Sequence, residues 1–383
     1  MNSRERFIRV IHFEEADRAP HAEQFWPETV GSWYVSGSVE RDYRGVGYDP
    51  ATPFPTEGVD YDALCPLFQM DMRPQWNSNS YFYPTEFSPM FPRLVLREGD
   101  TWVTVCDEWG ITKRVRRDGT SVPQFTAFPV KHREDFDAMK ARLDPFDQAR
   151  FKPGWGTRAR KALDEGSAPL GWGMVGFFAL LRWLMGLEGA LLAFLKEPWL
   201  VRHIFDYWSN FVVELAKPAL ELQVDYLGIW EDLAYKVGPM ISPRVFKELM
   251  VPYYKRVTNA FKKRGVDVAI VDSDGNIEAL IPYWLEGGVN GLVPLETQAG
   301  VDAPAIREKY GDRVVLMGNI SLWALRQGSE AIDRELERKL AALLPGGGYI
   351  ISPDHHIPPD VTYKNYLHYL TRVLKQRGYT WKP

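Results

Sequence analysis

Cysteine is scarce in this 383-residue chain: only Cys65 and Cys106 occur, far apart and in dissimilar settings. No CxxC spacing exists, so a disulfide scaffold and a cysteine zinc site both lack support. An excess of one charge is also missing. Lys and Arg total 46 against 50 Asp and Glu, a net charge of −4, which argues against a nucleic-acid binder. The N-terminus is charged throughout and has no apolar core of signal-peptide length. The longest apolar stretch, 174–195, carries Arg182, Glu188 and several glycines, a poor composition for a membrane span. A cytoplasmic protein with no membrane partner is the expectation. Neither GxGxxG nor GxxxxGK[ST] follows a strand candidate, so a nucleotide-binding sheet has no motif in its favour.

What is present is a globular composition, 45% hydrophobic, 25% charged and 14% aromatic. Residues 3–12 form a short amphipathic helix with Ser3 as its cap, ended before Pro20. Residues 21–90, rich in Pro, Gly, Tyr and Trp, read as long loops around short elements. Alternation on both sides of 107–110 predicts a β-hairpin over 101–117. Residues 133–165 read as helical, broken at Pro145.

The second half alternates strand candidates (170–175, 225–229, 266–271, 291–295, 314–317, 348–352) with helices over 242–264, 277–287, 303–310 and 329–344. Such alternation predicts a parallel sheet with crossover helices. With one or two strands near the N-terminus it suits an α/β TIM (β/α)8 barrel, carrying an N-terminal helical and loop extension and the hairpin insertion. An open doubly wound sheet is the competitor. We expect a single domain over 1–383, with the regular repeats in 166–383.

Each strand candidate runs into polar residues: Trp230-Glu231-Asp232, Asp272-Ser273-Asp274-Gly275-Asn276, Glu296, Gly318-Asn319, and Asp354-His355-His356. In a barrel these meet at the C-terminal rim, where active sites sit. Asp272 and Asp274, two apart on an extended segment, point to one face. Paired carboxylates either bind a cation or share a proton. Alternatively, one of them caps the helix that starts near Ile277. Of the adjacent His355 and His356, at most one reaches the site; alternatively they are loop histidines bonded to local backbone. Glu231 and Asp232 likewise place one carboxylate inward, or pair with Lys236 or Arg244. Arg182 either binds an anion or pairs with Glu188.

Several motifs carry a resemblance. The opening SRERFIRVIHFEEADRAP, LFQMD, LMGLEG, GPMISPRVF, VDSDGNI and PGGGYIISPDHHIPPDV are similar to segments of the uroporphyrinogen decarboxylase-like superfamily. The resemblance implies a TIM barrel, often dimeric, so a homodimer is expected. Its branches are cofactor-free uroporphyrinogen decarboxylases, zinc methyltransferases that exchange methyl groups with corrinoid proteins, and corrinoid-linked demethylases. The decarboxylases carry an arginine pair after the first strand, where this chain reads HAEQFWPETVGSW with no arginine. Asp71 in LFQMD loosely matches their catalytic aspartate. In the methyltransferase branch, Asp272 falls on a metal-ligating His, Asp274 on a Cys and His355 on a second Cys. Oxygen and imidazole donors still suit zinc, and admit manganese or iron.

The first expectation is therefore a metal-assisted methyltransferase or O-demethylase. A divalent metal, zinc first, sits on Asp272, Asp274 and His355, with a corrinoid on a partner protein. Asp274, Glu231, His356 and Glu296 are the candidate catalytic groups; Asp71, Trp26, Arg182, Tyr235 and Asn319 contact a small methylated substrate, aromatic ones included. The alternative is a metal-free decarboxylase of a small or tetrapyrrole acid, with Arg182 on the substrate carboxylate. A non-enzymatic binding barrel is disfavoured by the titratable groups converging on one rim.

Overall fold

Six apolar runs in the second half of the chain become strands close to their expected bounds. In the computed structural model, which describes residues 1–44, 59–72, 87–117, 123–151 and 153–375, they are Gly171–Val175, Tyr226–Trp230, Ala269–Asp272, Gly291–Val293, Val315–Ile320 and Tyr349–Pro353. They pair in parallel in chain order. Residues 21–25 dock on the edge of Tyr349–Pro353 through a parallel bridge from His21 to Ile351, and the Asp71 amide donates to the His21 carbonyl at 3.0 Å. Eight extended segments thus share one interior, and the architecture is the expected TIM (β/α)8 barrel.

Seven of the eight send a side chain into one buried cluster: Ala22, Met72, Tyr226, Ile270, Val293, Met317 and Ile350. The eighth, Gly171–Val175, contributes space. A Cβ on Gly171 would lie 2.3 Å from the Tyr226 ring, and one on Gly176 would lie 2.2 Å from the Glu231 carboxyl carbon. The spacing Gly171-x-Gly173-x-x-Gly176 therefore serves packing inside and just beyond the strand, not a phosphate.

The helix Ser3–Ile11 closes the N-terminal end of the barrel. Phe7 and Ile11 enter the interior cluster, and the Gly348 amide donates to the Val10 carbonyl at 2.8 Å. Its cap is Asn2, whose Oδ1 accepts from the Glu5 amide at 2.8 Å; Ser3 instead donates to Asp71. Arg4 grips Asp225, which also accepts the Leu170 amide at 2.8 Å and so staples two strand starts.

Other expectations are corrected. The short elements expected among the loops of 21–90 include two helices, Pro27–Val35 and Tyr61–Phe68, which had not been assigned. Pro27 supplies a preset φ at the first helical turn and Asp60 caps the second helix. Residues 45–58 and 73–86 of that region lie outside the described residues. The helix expected over 242–264 divides into Pro243–Leu249 and Val251–Lys262, since Pro252 has no amide hydrogen to continue the ladder. The hairpin is present as Trp102–Cys106 with Thr112–Arg116, the centre of a four-stranded antiparallel sheet. The apolar helix Phe177–Lys196 is long enough to cross a membrane by composition. It is half buried in the protein and breaks at Gly186, whose φ is 75°.

Replacing Phe7, fully buried and 5.3 Å from the Tyr226 ring centre, leaves a hole at the barrel base. We expect Phe7→Ala to lower unfolding free energy by about 3–5 kcal/mol in denaturant titration; a loss below about 1 kcal/mol would contradict the plug.

Candidate active site

The carboxyl ends of the strands meet in a cavity of about 110 Å³, lined by Gln24, Trp230, Asp232, Asp272, Asp274, Val293, Pro294, Met317, Ser352, Pro353, His355 and His356. Asp272 is the last residue of its strand, and Asp274 follows at the same-face spacing. Ser273, between them, is buried and accepts the Leu233 amide at 2.9 Å. Gly275 turns the chain with φ of 81°, where a Cβ would meet the Ala234 carbonyl oxygen at 2.6 Å. Its amide donates to Glu296 Oε2 at 2.7 Å. Asn276, through Oδ1, accepts the Glu278 amide, so the helical turn beyond takes its side-chain acceptor from Asn276 and leaves both aspartates to the cavity.

Asp274, Glu296 and His355 offer donor atoms within 4.8 Å of one another. His355 Nε2 stands 3.6 Å from Asp274 Oδ2. Glu296 thus completes a group in which the sequence reading had Asp272, which lines the cavity beside the three. Two carboxylates and an imidazole fit a divalent cation in number and hardness, with positions to spare. The His356 amide donates to His355 Nδ1 at 2.8 Å, which favours the proton on Nε2. A cation on Nε2 would require that proton to move.

The cavity is crowded with negative charge. Asp272 is held well above the usual carboxylate range, first by burial and then by Asp232 and Asp274. Burial, then Asp274, also raises Asp232 and Glu296. The hydrogen bond to Asp274 raises His355. Burial, then His355, lowers His356 to about 4, so it is neutral near pH 7 and has no imidazolium proton to give. Trp26 packs on both imidazoles, with ring centres at 6.4 and 5.2 Å. Tyr235 stands exposed on a small rim hairpin.

Four expected residues lie elsewhere. Asp71 is at the opposite, N-terminal end, fully buried and bonded by Ser3, Arg6 and Arg18 at 2.5–3.0 Å. A carboxylate held by two guanidinium groups under the barrel plug is a structural ion cluster. Asn319 is buried with its amide spent on the backbone of Leu295, Val301 and Ala303. Glu231 turns outward onto the start of the helix Phe177–Lys196, accepting the Phe177, Phe178 and Ala179 amides and the Tyr254 hydroxyl. Arg182 pairs with Asp232 at 3.1 Å and lies over the Trp230 ring, not with Glu188. Gln24 and Met317 were missed; both follow the inward alternation of their strands, a signal visible only once register is known.

Residues 103–375 match the family described as Uroporphyrinogen decarboxylase (URO-D). The chain belongs to that family. A uroporphyrinogen decarboxylase of Serratia proteamaculans is 24% identical over 271 residues, covering 67% of this chain and 72% of that one. One from Psychromonas ingrahamii is 23% identical over 249 residues, 62% and 67% of the two chains. The solved structure of a methyltransferase from Methanosarcina mazei superimposes with a TM-score of 0.64 at 16% identity, over 99% of this chain and 100% of that one. At that identity the likeness speaks for the barrel. For this URO-D family member, the chemistry must be argued from the cavity.

Glu231 generates a prediction. Burial pushes its carboxyl from 4.5 to about 7, against the opposing pull of its four donors. Between those values the folded chain keeps a proton that the unfolded chain releases, so this group makes stability fall as pH rises through the window. We expect the wild-type minus Glu231→Gln difference in Tm to decline from pH 4.5 to 7; a flat or rising difference would exclude the assignment.

Proposed function

We propose that this enzyme transfers a methyl group from a small methylated ether, aromatic ethers included, to a corrinoid carried by a partner protein, aided by a divalent cation held by Asp274, Glu296 and His355. The observation that carries the reading is a donor trio in a cavity without cationic side chains. Among the described residues that line it there is no Lys or Arg, and the adjacent Arg182 is already paired with Asp232. A polycarboxylate would meet carboxylates on several sides and no Lys or Arg counter-charge.

When bound, the cation supplies Lewis acidity at the heteroatom that carries the methyl group. Zinc is the first candidate, manganese or iron the next. Asp272, which burial and three neighbouring carboxylates push toward its protonated form, is the group placed to protonate the departing oxygen as the methyl–oxygen bond breaks. Glu296 and Asp274 hold their positions through the Gly275 turn. The neutral His356 lines one side of the cavity, with Trp26 packed on its ring. Trp26, Tyr235, Val237 and Trp323 are exposed around the rim, an apolar collar of the kind on which a partner protein docks.

A second reading has one observation in its favour. The proton kept by Asp272 could quench a carbanion after decarboxylation, the activity in the names of the curated relatives. It needs a cation for the substrate carboxylate, which the described lining lacks.

Elemental analysis separates the two. Protein purified without added metal should hold about one divalent ion per chain, with Asp274→Ala and Glu296→Ala retaining less than about a tenth of that. Asp272→Asn should keep the ion and slow demethylation by about 10²-fold or more. A metal-free wild-type enzyme that releases carbon dioxide from uroporphyrinogen would overturn the proposal.

A further inference from the structure

Glu296 and His355 belong to loops that follow different strands, Gly291–Val293 and Tyr349–Pro353, and the strand Val315–Ile320 runs between them. Nothing in either loop alone sets their separation. One side chain spans the gap. Asp354, 2% exposed, accepts the Thr297 amide at 3.1 Å and the Thr297 hydroxyl on Oδ2. Its Oδ1 accepts the Leu322 amide at 3.1 Å, and its own amide donates to the Ile320 carbonyl at 2.8 Å. The Thr297 hydroxyl also approaches Ser321 at 3.3 Å. A single buried carboxylate therefore ties together the ends of three consecutive barrel strands.

The two outer ties lie next to the donor group. Thr297 follows Glu296, and Asp354 precedes His355. We propose that Asp354 is the positioning residue of the site: its carboxylate, clipped to Thr297 and Leu322, sets the distance between Glu296 and His355. Fixing that distance matters because ligand groups act together only when each is held within a fraction of an ångström of its working place. Asp354 itself points into the loops and reaches the cavity only through its neighbours. Carboxylate chemistry is required here, since the clip consists of three donors facing acceptor-only oxygens. An asparagine can satisfy one side; its NH₂ then opposes either the Thr297 or the Leu322 amide.

The consequence for cation binding rests on the functional reading above; the geometric consequence does not, and the test separates them. Asp354→Asn and the milder Thr297→Val would be purified metal-free, and Zn²⁺ and Mn²⁺ affinities measured by competition with a chromogenic chelator, alongside Tm of the metal-free proteins. We expect Kd to rise about 10–100-fold in Asp354→Asn and by a smaller factor in Thr297→Val, at temperatures where both are folded. Lowered Tm with wild-type Kd in both variants would make Asp354 a structural residue only and overturn the proposal. If the wild-type protein binds neither ion, the cation reading fails and the clip is judged by crystallography of metal-free Asp354→Asn. Separation of the 296–297 and 355–356 segments by about 1 Å or more upholds it; superimposable segments overturn it.

Discussion

The site depends on holding like charges close together away from water. Asp232, Asp272, Asp274 and Glu296 act on one another across a small cavity, and burial raises three of them. Carboxylates in that position survive only by keeping protons, by pairing, or by sharing a cation, because an isolated buried charge costs far more than folding can offset. Pairing is visible, Asp232 with Arg182 and Asp274 with His355, while burial and its neighbours push Asp272 toward its protonated form. The third is the chemistry proposed.

The two ends of the barrel divide the labour. At the N-terminal end, charged groups are matched: Arg4 with Asp225, and Arg6 and Arg18 with Asp71. These pairs fasten the plug helix and the strand starts, and Asp17, also on Arg6, supplies a third carboxylate for the three arginines. At the C-terminal end carboxylates outnumber their cationic partners, and the backbone is braced by hydrogen bonds that Ser273 and Asp354 accept and that the Gly275 amide donates. Rigidity beneath and charge excess above is the arrangement that lets a site favour a cation or an activated proton.

Much of this was legible. Strand–helix alternation led to the barrel, and polar residues at five strand ends led to its mouth. Asp272, Asp274, His355, His356 and Glu296 were all named from spacing. The errors have physical causes. Asp71 was tied to chemistry by motif, whereas its burial under two arginines depends on where the plug helix lands. Glu231 and Asp232 differ only in direction, and the helix that begins at Phe177 captures the former. The group of close donor atoms has Glu296 where spacing pointed to Asp272, because a loop from the neighbouring strand brings Glu296 within 4.8 Å of Asp274 and His355.

By itself, the sequence determined which segments of the second half are barrel strands, which residues follow each of them, and that carboxylates and imidazoles collect at one end, since these follow from local periodicity and from closure of parallel strands. Only the tertiary structure decided which of those side chains face one another. That choice rests on barrel register and on contacts between residues far apart in the chain, such as Asp354 with Thr297 and Arg182 with Asp232, for which no local pattern exists.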